Sequence, residues 1–170
     1  MSEFQSAPPP VILDGLSPSP DAYIAGALIT TGDGRYLFQL RDDKPRLPLR
    51  NHWALFGGEV EPGEDGYAAV LREVEEELSY QARNCAWYHE AIYALPRNDR
   101  RVVRKSYYVI LIEAEEVAMM VQCEGSDMHL MTVPELLALP NIAPWDLATV
   151  LLHAREKMIF PDLLEACRTK

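Results

Sequence analysis

Glu73, Glu76 and Glu77 crowd together in the segment LREVEEEL. At roughly 100° per helical residue they fall between about −60° and 40° on one wheel, so three carboxylates share a face while Glu75 points elsewhere. Like charges at i and i+4, here Glu73 and Glu77, destabilise a helix by a few tenths of a kcal/mol, and a bare cluster therefore costs stability. Such a run reads either as a solvated acidic face or as a surface that binds a hard divalent cation, which takes oxygen ligands. Its surroundings are ordered in a way that a solvated face does not need: Gly57 and Gly58 lie one loop upstream, Glu64 sits in that loop, and Arg72 immediately precedes Glu73.

The helix that carries these residues is predicted over Tyr67–Tyr80, a stretch without Gly or Pro and rich in helix formers. Tyr67, Leu71, Val74 and Leu78 gather between about 100° and 160° of the wheel and form the stripe expected to pack on a sheet. Upstream, YIAGALIT and YLFQLRD read as two strands of a hairpin joined by TGDGR, where Gly32, Asp33 and Gly34 accept positive φ. DDKPRLPLRNH is polar and broken by proline, hence a loop, and WALFGG reads as one short buried strand ending on glycine. Downstream, WYHEAIYAL and VVRKSYYVILIEAE are predicted strands joined by PRNDRR, and HLMTV is a further short strand. A short helix, PELLAL, starts at Pro134, and a packed terminal helix runs from Pro144 through LATVLLHAREKM. Strands on both sides of a central helix, with a helix closing the chain, imply a mixed central β-sheet sandwiched by helices, an α/β (α+β) fold.

The 170 residues fit one domain over 21–170, preceded by a proline-rich lead-in over 1–20. With 48% apolar and 25% charged residues, neither wholesale disorder nor a low-complexity chain is tenable. Lys+Arg of 16 against Asp+Glu of 26 leaves −10, which argues against a general nucleic-acid or anionic-membrane binder and requires cations if phosphates are handled. Cys85, Cys123 and Cys167 lack CxxC spacing, so a disulfide framework and a zinc site are poor readings and a reducing cytoplasmic setting fits better. The N-terminus has no signal-peptide pattern, and no transmembrane run is present. His52, His89, His129 and His153 show no metal-ligand spacing.

Gly58, five residues, Glu64, seven residues, then Arg72-Glu73-Val74-Glu75-Glu76-Glu77-Leu78-Ser79-Tyr80 closely resembles the Nudix hydrolase box GX5EX7REUXEEXGU. Ser79 is the one departure, standing where the family pattern has glycine just past the helix, so it must fill a left-handed cap with some strain. The strand and loop order also resembles the family's α/β/α sandwich. This resemblance implies hydrolysis of a nucleoside diphosphate linked to another moiety, with Mg²⁺ or Mn²⁺ as cofactor. It further implies Glu73, Glu76 and Glu77 as metal ligands, with Glu76 also deprotonating or orienting the attacking water. The carbonyl of Gly57 or Gly58 is a further possible ligand, or merely part of a strand-to-loop turn. Arg72 is read as a clamp on a carboxylate such as Glu64 rather than as a substrate contact. Glu124, in CEGSDMH, resembles an extra metal ligand or base of some Nudix enzymes; a surface loop charge is the alternative. Arg41 and Arg46 could meet a phosphate, or do nothing specific as exposed cations. Trp53 and Tyr107 could stack on a base, although aromatics in strands more often belong to the core.

LRDDKPRLPLRNHWALFGGEVEPGE is similar to the segment of small MutT-like enzymes that take nucleoside triphosphates or nucleotide sugars, and the residues do not separate those substrates. The resemblance implies a small-molecule nucleotide partner and a homodimer. A non-catalytic Nudix-fold nucleotide sensor is the alternative, and it is disfavoured because all three box carboxylates are present. A Nudix-fold isomerase acting on an isoprenoid diphosphate is a third class, for which the cysteine positions offer no matching motif.

Overall fold

The computed structural model describes residues 20–45, 47–94 and 102–160. The lead-in apart from Pro20, Arg46, the PRNDRR joint and the end of the chain with Cys167 lie outside the described residues.

Strands β1 (Ala22–Thr31) and β2 (Tyr36–Leu40) form the expected hairpin, with Gly34 at φ 87° in the turn and Thr30 opposite Tyr36. The predicted single strand WALFGG is two, β3 (Trp53–Ala54) and β4 (Phe56–Glu59), interrupted at Leu55. The physical reason is a change of partner: β3 pairs with β2, whereas β4 pairs with β1 from Ile24↔Glu59 to Ala27↔Phe56. Helix α1 (Gly66–Leu78) follows, then β5 (Cys85–Ala94) and β6 (Val102–Ile112), antiparallel to each other. A short 3-10 helix at Ala114–Met119 leads to β7 (Asp127–Met131), α2 (Val133–Ala138) and α3 (Pro144–Ile159). Among these elements β1 and β6 run parallel, so the seven-stranded sheet is mixed, ordered β3-β2-β1-β6-β5 with β4 beside β1 and β7 beside β2.

Side chains alternate across a strand, so β1 feeds both faces of the sheet. Ala25, Ala27 and Ile29, with Leu37 and Phe56, meet Ala69, Val70, Val74 and Leu78 of α1. Leu28, Tyr36, Phe38 and Leu55 meet Leu136 of α2 and Val150 of α3 on the opposite face. The result is an α/β/α sandwich. None of the helices among the described residues is long and apolar enough to cross a membrane.

α1 starts where Asp65 caps the amide of Ala68 at 2.8 Å. Its buried face keeps Val74, Leu78 and part-buried Leu71 of the stripe read from the sequence but not Tyr67. Tyr67 is 47% exposed and lies edge-on to Tyr108, while Ala69, Val70, Val74, Glu77 and Leu78 are buried, a rotation of roughly 60° toward the acidic side. Tyr108 fills the space below the first turn, where a Cβ on Gly66 would come within 2.6 Å of its hydroxyl, and the small Ala69 lets the helix settle on the sheet instead. The consequence is that Glu77 is drawn inside.

The helix closes at Ser79, in the left-handed region at φ 48°, ψ 35°, with its N–H on the carbonyl of Glu75. Glycine adopts this conformation without a Cβ penalty. Ser79→Gly is therefore expected to raise unfolding free energy by about 0.5–1 kcal/mol in chemical denaturation; a loss of stability would contradict the strained-cap reading.

Candidate active site

The centre of the site is a contact between strand β4 and helix α1. β4 brings Gly57 so close to β1 that a Cβ there would collide with the carbonyl oxygen of Ala25 and sit 3.0 Å from Gly26 Cα; its φ is 125°. Glycine is required at this approach. The freed space lets α1 reach over the strand, and the Gly57 N–H donates to Glu77 Oε2 at 2.8 Å. Gln39 Nε2, from β2, donates to Glu77 Oε1 at 3.2 Å. One turn earlier on the helix, the Glu73 carboxylate lies against Gly58, in the space a Cβ would take.

Burial sets the electrostatics. Glu77 is only 5% exposed, and its pKa is pushed up to about 7: desolvation outweighs the bonds from Gly57 and Gln39, and the charges of Glu73 and Glu124 add to the rise. Burial likewise raises Glu73, against the pull of Arg72. Both carboxylates thus sit where a nearby cation lowers their free energy.

Arg72 is the cation the chain itself supplies. Its guanidinium grips Glu64 in bidentate fashion, Nε to Oε1 at 3.0 Å and Nη2 to Oε2 at 3.1 Å. Nη1 reaches Glu73 Oε1 at 2.8 Å and Glu76 Oε2 at 3.1 Å, and Nη2 donates to the Glu59 carbonyl at 3.0 Å. This fork holds Glu64 below the usual carboxylate range and raises the pKa of Arg72 itself. Glu73 is 16% exposed at its side chain, whereas Glu76 is 61% exposed and faces outward.

Arg72, Glu73, Glu76, Glu77 and Gly57 are therefore brought together, with Glu64 behind them. They do not meet as three converging carboxylates: among the described residues no three His, Cys, Asp or Glu side chains gather into a metal cage. Arg72 stands between Glu64, Glu73 and Glu76, and Glu77 is turned to the glycine backbone. The donor chemistry still fits a hard divalent ion, being all oxygen, part buried and rich in negative charge. Glu73, Glu76 and Glu77 are the side chains that could hold one.

Glu124 is exposed on the loop after the 3-10 helix, yet its charge reaches both Glu73 and Glu77. The loop is tied to the end of α1 by Val121 N to Leu78 O at 2.9 Å and Cys123 N to Glu77 O at 2.8 Å. Arg41 donates from Nε to the Pro48 carbonyl at 3.2 Å and braces its own loop. Arg46 lies outside the described residues. Trp53 packs beside His129, ring centres 5.6 Å apart, with the core on the α2/α3 side of the sheet rather than on the α1 side where Glu73 lies. Tyr107 is fully buried, stacked on His89 and bonded to Asp146, so it is core and not a stacking platform. Gln39 escaped sequence reading; its signal was an amide at a buried position of the apolar strand YLFQL. A cleft of about 450 Å³, lined by Tyr23, Glu61, Glu64, Arg104, Ser106 and Tyr108, meets this arrangement at Glu64 and not at Glu73, Glu76 or Glu77.

A family model described as NUDIX domain matches residues 21–152. Among solved structures, the MutT protein from Methanosarcina mazei Go1 superposes with a TM-score of 0.66 at 18% identity, over 82% of this chain and 96% of that one. The NUDIX domain of Shewanella oneidensis NrtR, complexed with ADP ribose, gives 0.62 at 18% identity, over 82% and 90%. A C. elegans Ap4A hydrolase gives 0.64 at 16% identity, over 82% and 99%. At these identities the likeness shows the fold. No curated protein matches the sequence.

The two glycines make separable expectations. In Gly58→Ala the atoms in the way are the far end of Glu73, so the protein should fold within about 1 kcal/mol of wild type with the Glu73 carboxylate displaced. Gly57→Ala meets backbone at a positive φ and should cost about 2 kcal/mol or more. Equal unfolding free energies for the two variants would contradict this geometry.

Glu77 makes a pH expectation. Its folded pKa is raised from 4.5 to about 7, so between these values the folded state holds a proton that the unfolded state has lost, and stability falls as pH rises through that window. In cation-free buffer Glu77→Gln should remove up to about 3 kcal/mol of that fall. Urea titrations of both proteins at pH 4.5 and pH 8 check it, and parallel pH profiles would contradict it.

Proposed function

The chain belongs to the Nudix family of pyrophosphohydrolases, and we propose that it hydrolyses a phosphoanhydride bond in a nucleoside diphosphate linked to another moiety, a nucleoside triphosphate or a nucleotide sugar, with Mg²⁺ or Mn²⁺ held by Glu73, Glu76 and Glu77. The observation that carries the reading is the pair of carboxylates, part-buried Glu73 and buried Glu77, set against consecutive glycines. A solvated acidic face would leave them in water.

When bound, the divalent ion supplies charge neutralisation for a diphosphate that a chain of net charge −10 otherwise repels, together with polarisation of the phosphorus oxygens. Glu77 is oriented by Gly57 N–H and Gln39, and Glu73 by Gly58 beneath it and Arg72 beside it. Arg72 holds Glu64, fixing the loop that leads into α1. Glu76 is the most exposed of the three box carboxylates, with one oxygen on Arg72, so Oε1 is the atom assigned to orient the attacking water and take its proton. The Gly57 carbonyl and Glu124 are assigned as supplementary ligands, Glu124 because its charge is felt by both Glu73 and Glu77. That one neighbour holds ADP ribose and another is an Ap4A hydrolase supports a nucleotide substrate. A sensor that binds without cleaving has no need of Glu76 at the water position.

A panel of nucleoside triphosphates, nucleotide sugars, ADP-ribose and diadenosine polyphosphates, assayed with Mg²⁺ or Mn²⁺, tests the reading. Glu76→Gln is expected to lower kcat by about 10²-fold or more, and chelation is expected to abolish turnover. Equal turnover by wild type and variant would remove Glu76 from catalysis, and nucleotide binding without any turnover would favour the sensor.

A further inference from the structure

On the face of the sheet opposite α1 lies a buried charged group that the chemistry above does not use. Asp146, in the first turn of α3, is 3% exposed. Its Oδ1 accepts from Lys105 Nζ at 2.7 Å and from Tyr107 OH at 3.1 Å, and its Oδ2 accepts from the backbone N–H of Leu55 at 3.0 Å. Leu55 is the residue at which the chain leaves β3 and enters β4, changing its partner from β2 to β1. A buried amide needs a partner, and here the Asp146 carboxylate is that partner.

Two residues on, Gly57 donates to Glu77, and Gly58 underlies Glu73. Lys105 closes the same arrangement from below. A Cβ on Gly26 would come within 2.5 Å of Lys105 Cε, so the lysine stem lies flat on Gly26, and Gly26 is the residue paired with Gly57 across β1 and β4. The glycine pair of β4 thus meets Glu73 and Glu77 on the α1 side, while toward α3 Asp146 holds Leu55 just before it and Lys105 lies on Gly26, its partner in β1.

We infer that Asp146 is a positioning residue for the Gly57-Gly58 segment of β4, acting through the Leu55 amide, with Lys105 as its buried counter-charge. A buried ion pair is an uncertain source of stability, because desolvation offsets attraction and apolar replacements of similar volume are often tolerated. What an apolar pair cannot replace is an acceptor aimed at one backbone N–H whose position sets the height of the segment under two carboxylates. Groups behind metal ligands change metal affinity by about 10- to 100-fold when lost. The proposal rests on the pyrophosphohydrolase reading for its consequence at the cation, but its structural step does not.

The test compares two charge-free double variants. Lys105→Met with Asp146→Asn keeps an oxygen for Leu55, whereas Lys105→Met with Asp146→Leu removes it. Mn²⁺ alone, titrated and followed by electron paramagnetic resonance, should bind the asparagine pair as it binds wild type and the leucine pair about tenfold or more weakly. In ¹H–¹⁵N spectra without metal, the Gly57 and Gly58 amide signals should move in the leucine pair and stay in place in the asparagine pair. Equal Mn²⁺ affinity or unmoved glycine signals in the leucine pair would overturn the proposal. If wild type binds no Mn²⁺, the pyrophosphohydrolase reading fails and the glycine signals alone decide the role of Asp146. Should the leucine pair not fold, Lys105→Met with Asp146→Ser, whose hydroxyl is one atom shorter, takes its place under the same criteria.

Discussion

Two carboxylates, Glu73 and Glu77, are held against the backbone of Gly57 and Gly58, and much of the fold is what makes that contact possible. Burying like charges side by side is unfavourable unless each oxygen has a partner and a cation is near. The glycines remove the side chains that would keep helix and strand apart. The partners are a backbone N–H, the Gln39 amide and Arg72. A surface of this kind is costly to maintain for packing alone, and apolar residues at the same positions of α1 would bury more simply. Its persistence in the structure is the physical ground for a chemical role.

Arg72 gives the site a resting arrangement. By bridging Glu64, Glu73 and Glu76 it balances charge that would otherwise repel, and so lets α1 form through its acidic stretch. A metal ion bound as proposed would compete with it for Glu73 and Glu76 but not for Glu64, whose two oxygens both face the guanidinium. Glu64 therefore anchors the arginine through two bonds, and Glu73 and Glu76 each take one. Glu77, which makes no bond to Arg72, is oriented from β4 and β2 instead. The site draws on two independent supports, one from the loop before the helix and one from the sheet.

The local part of this design was legible in the sequence. The spacing from Gly58 through Glu64 to Arg72 and the three glutamates places a turn, an anchor and a helix in order, and Ser79 at a left-handed position follows from the missing glycine. Layer order was legible too, since period-2 and period-3.6 patterns distinguish strands from helices. Properties set by long-range contact were not. Tyr67 has the wheel position of a core residue, but Tyr108 fills the space beneath the first turn, and the helix turns its acidic edge inward. WALFGG is continuous in composition yet splits at Leu55 because two different strands claim its halves. Trp53 and Tyr107 are large aromatics in strands, and the sheet carries both toward the opposite layer. Arg72 was legible as a clamp on Glu64, but its further bonds to Glu73 and Glu76, which set its charge among the glutamates, were not.

The most direct examination of the central contact is anomalous diffraction from crystals soaked in Mn²⁺. The account requires a manganese peak beside the Glu73 and Glu77 carboxylates over the Gly57-Gly58 segment, with the Arg72 guanidinium withdrawn from Glu73 and still paired with Glu64. Manganese bound only at other acidic residues, with Arg72 still bridging Glu73 and Glu76, would contradict it.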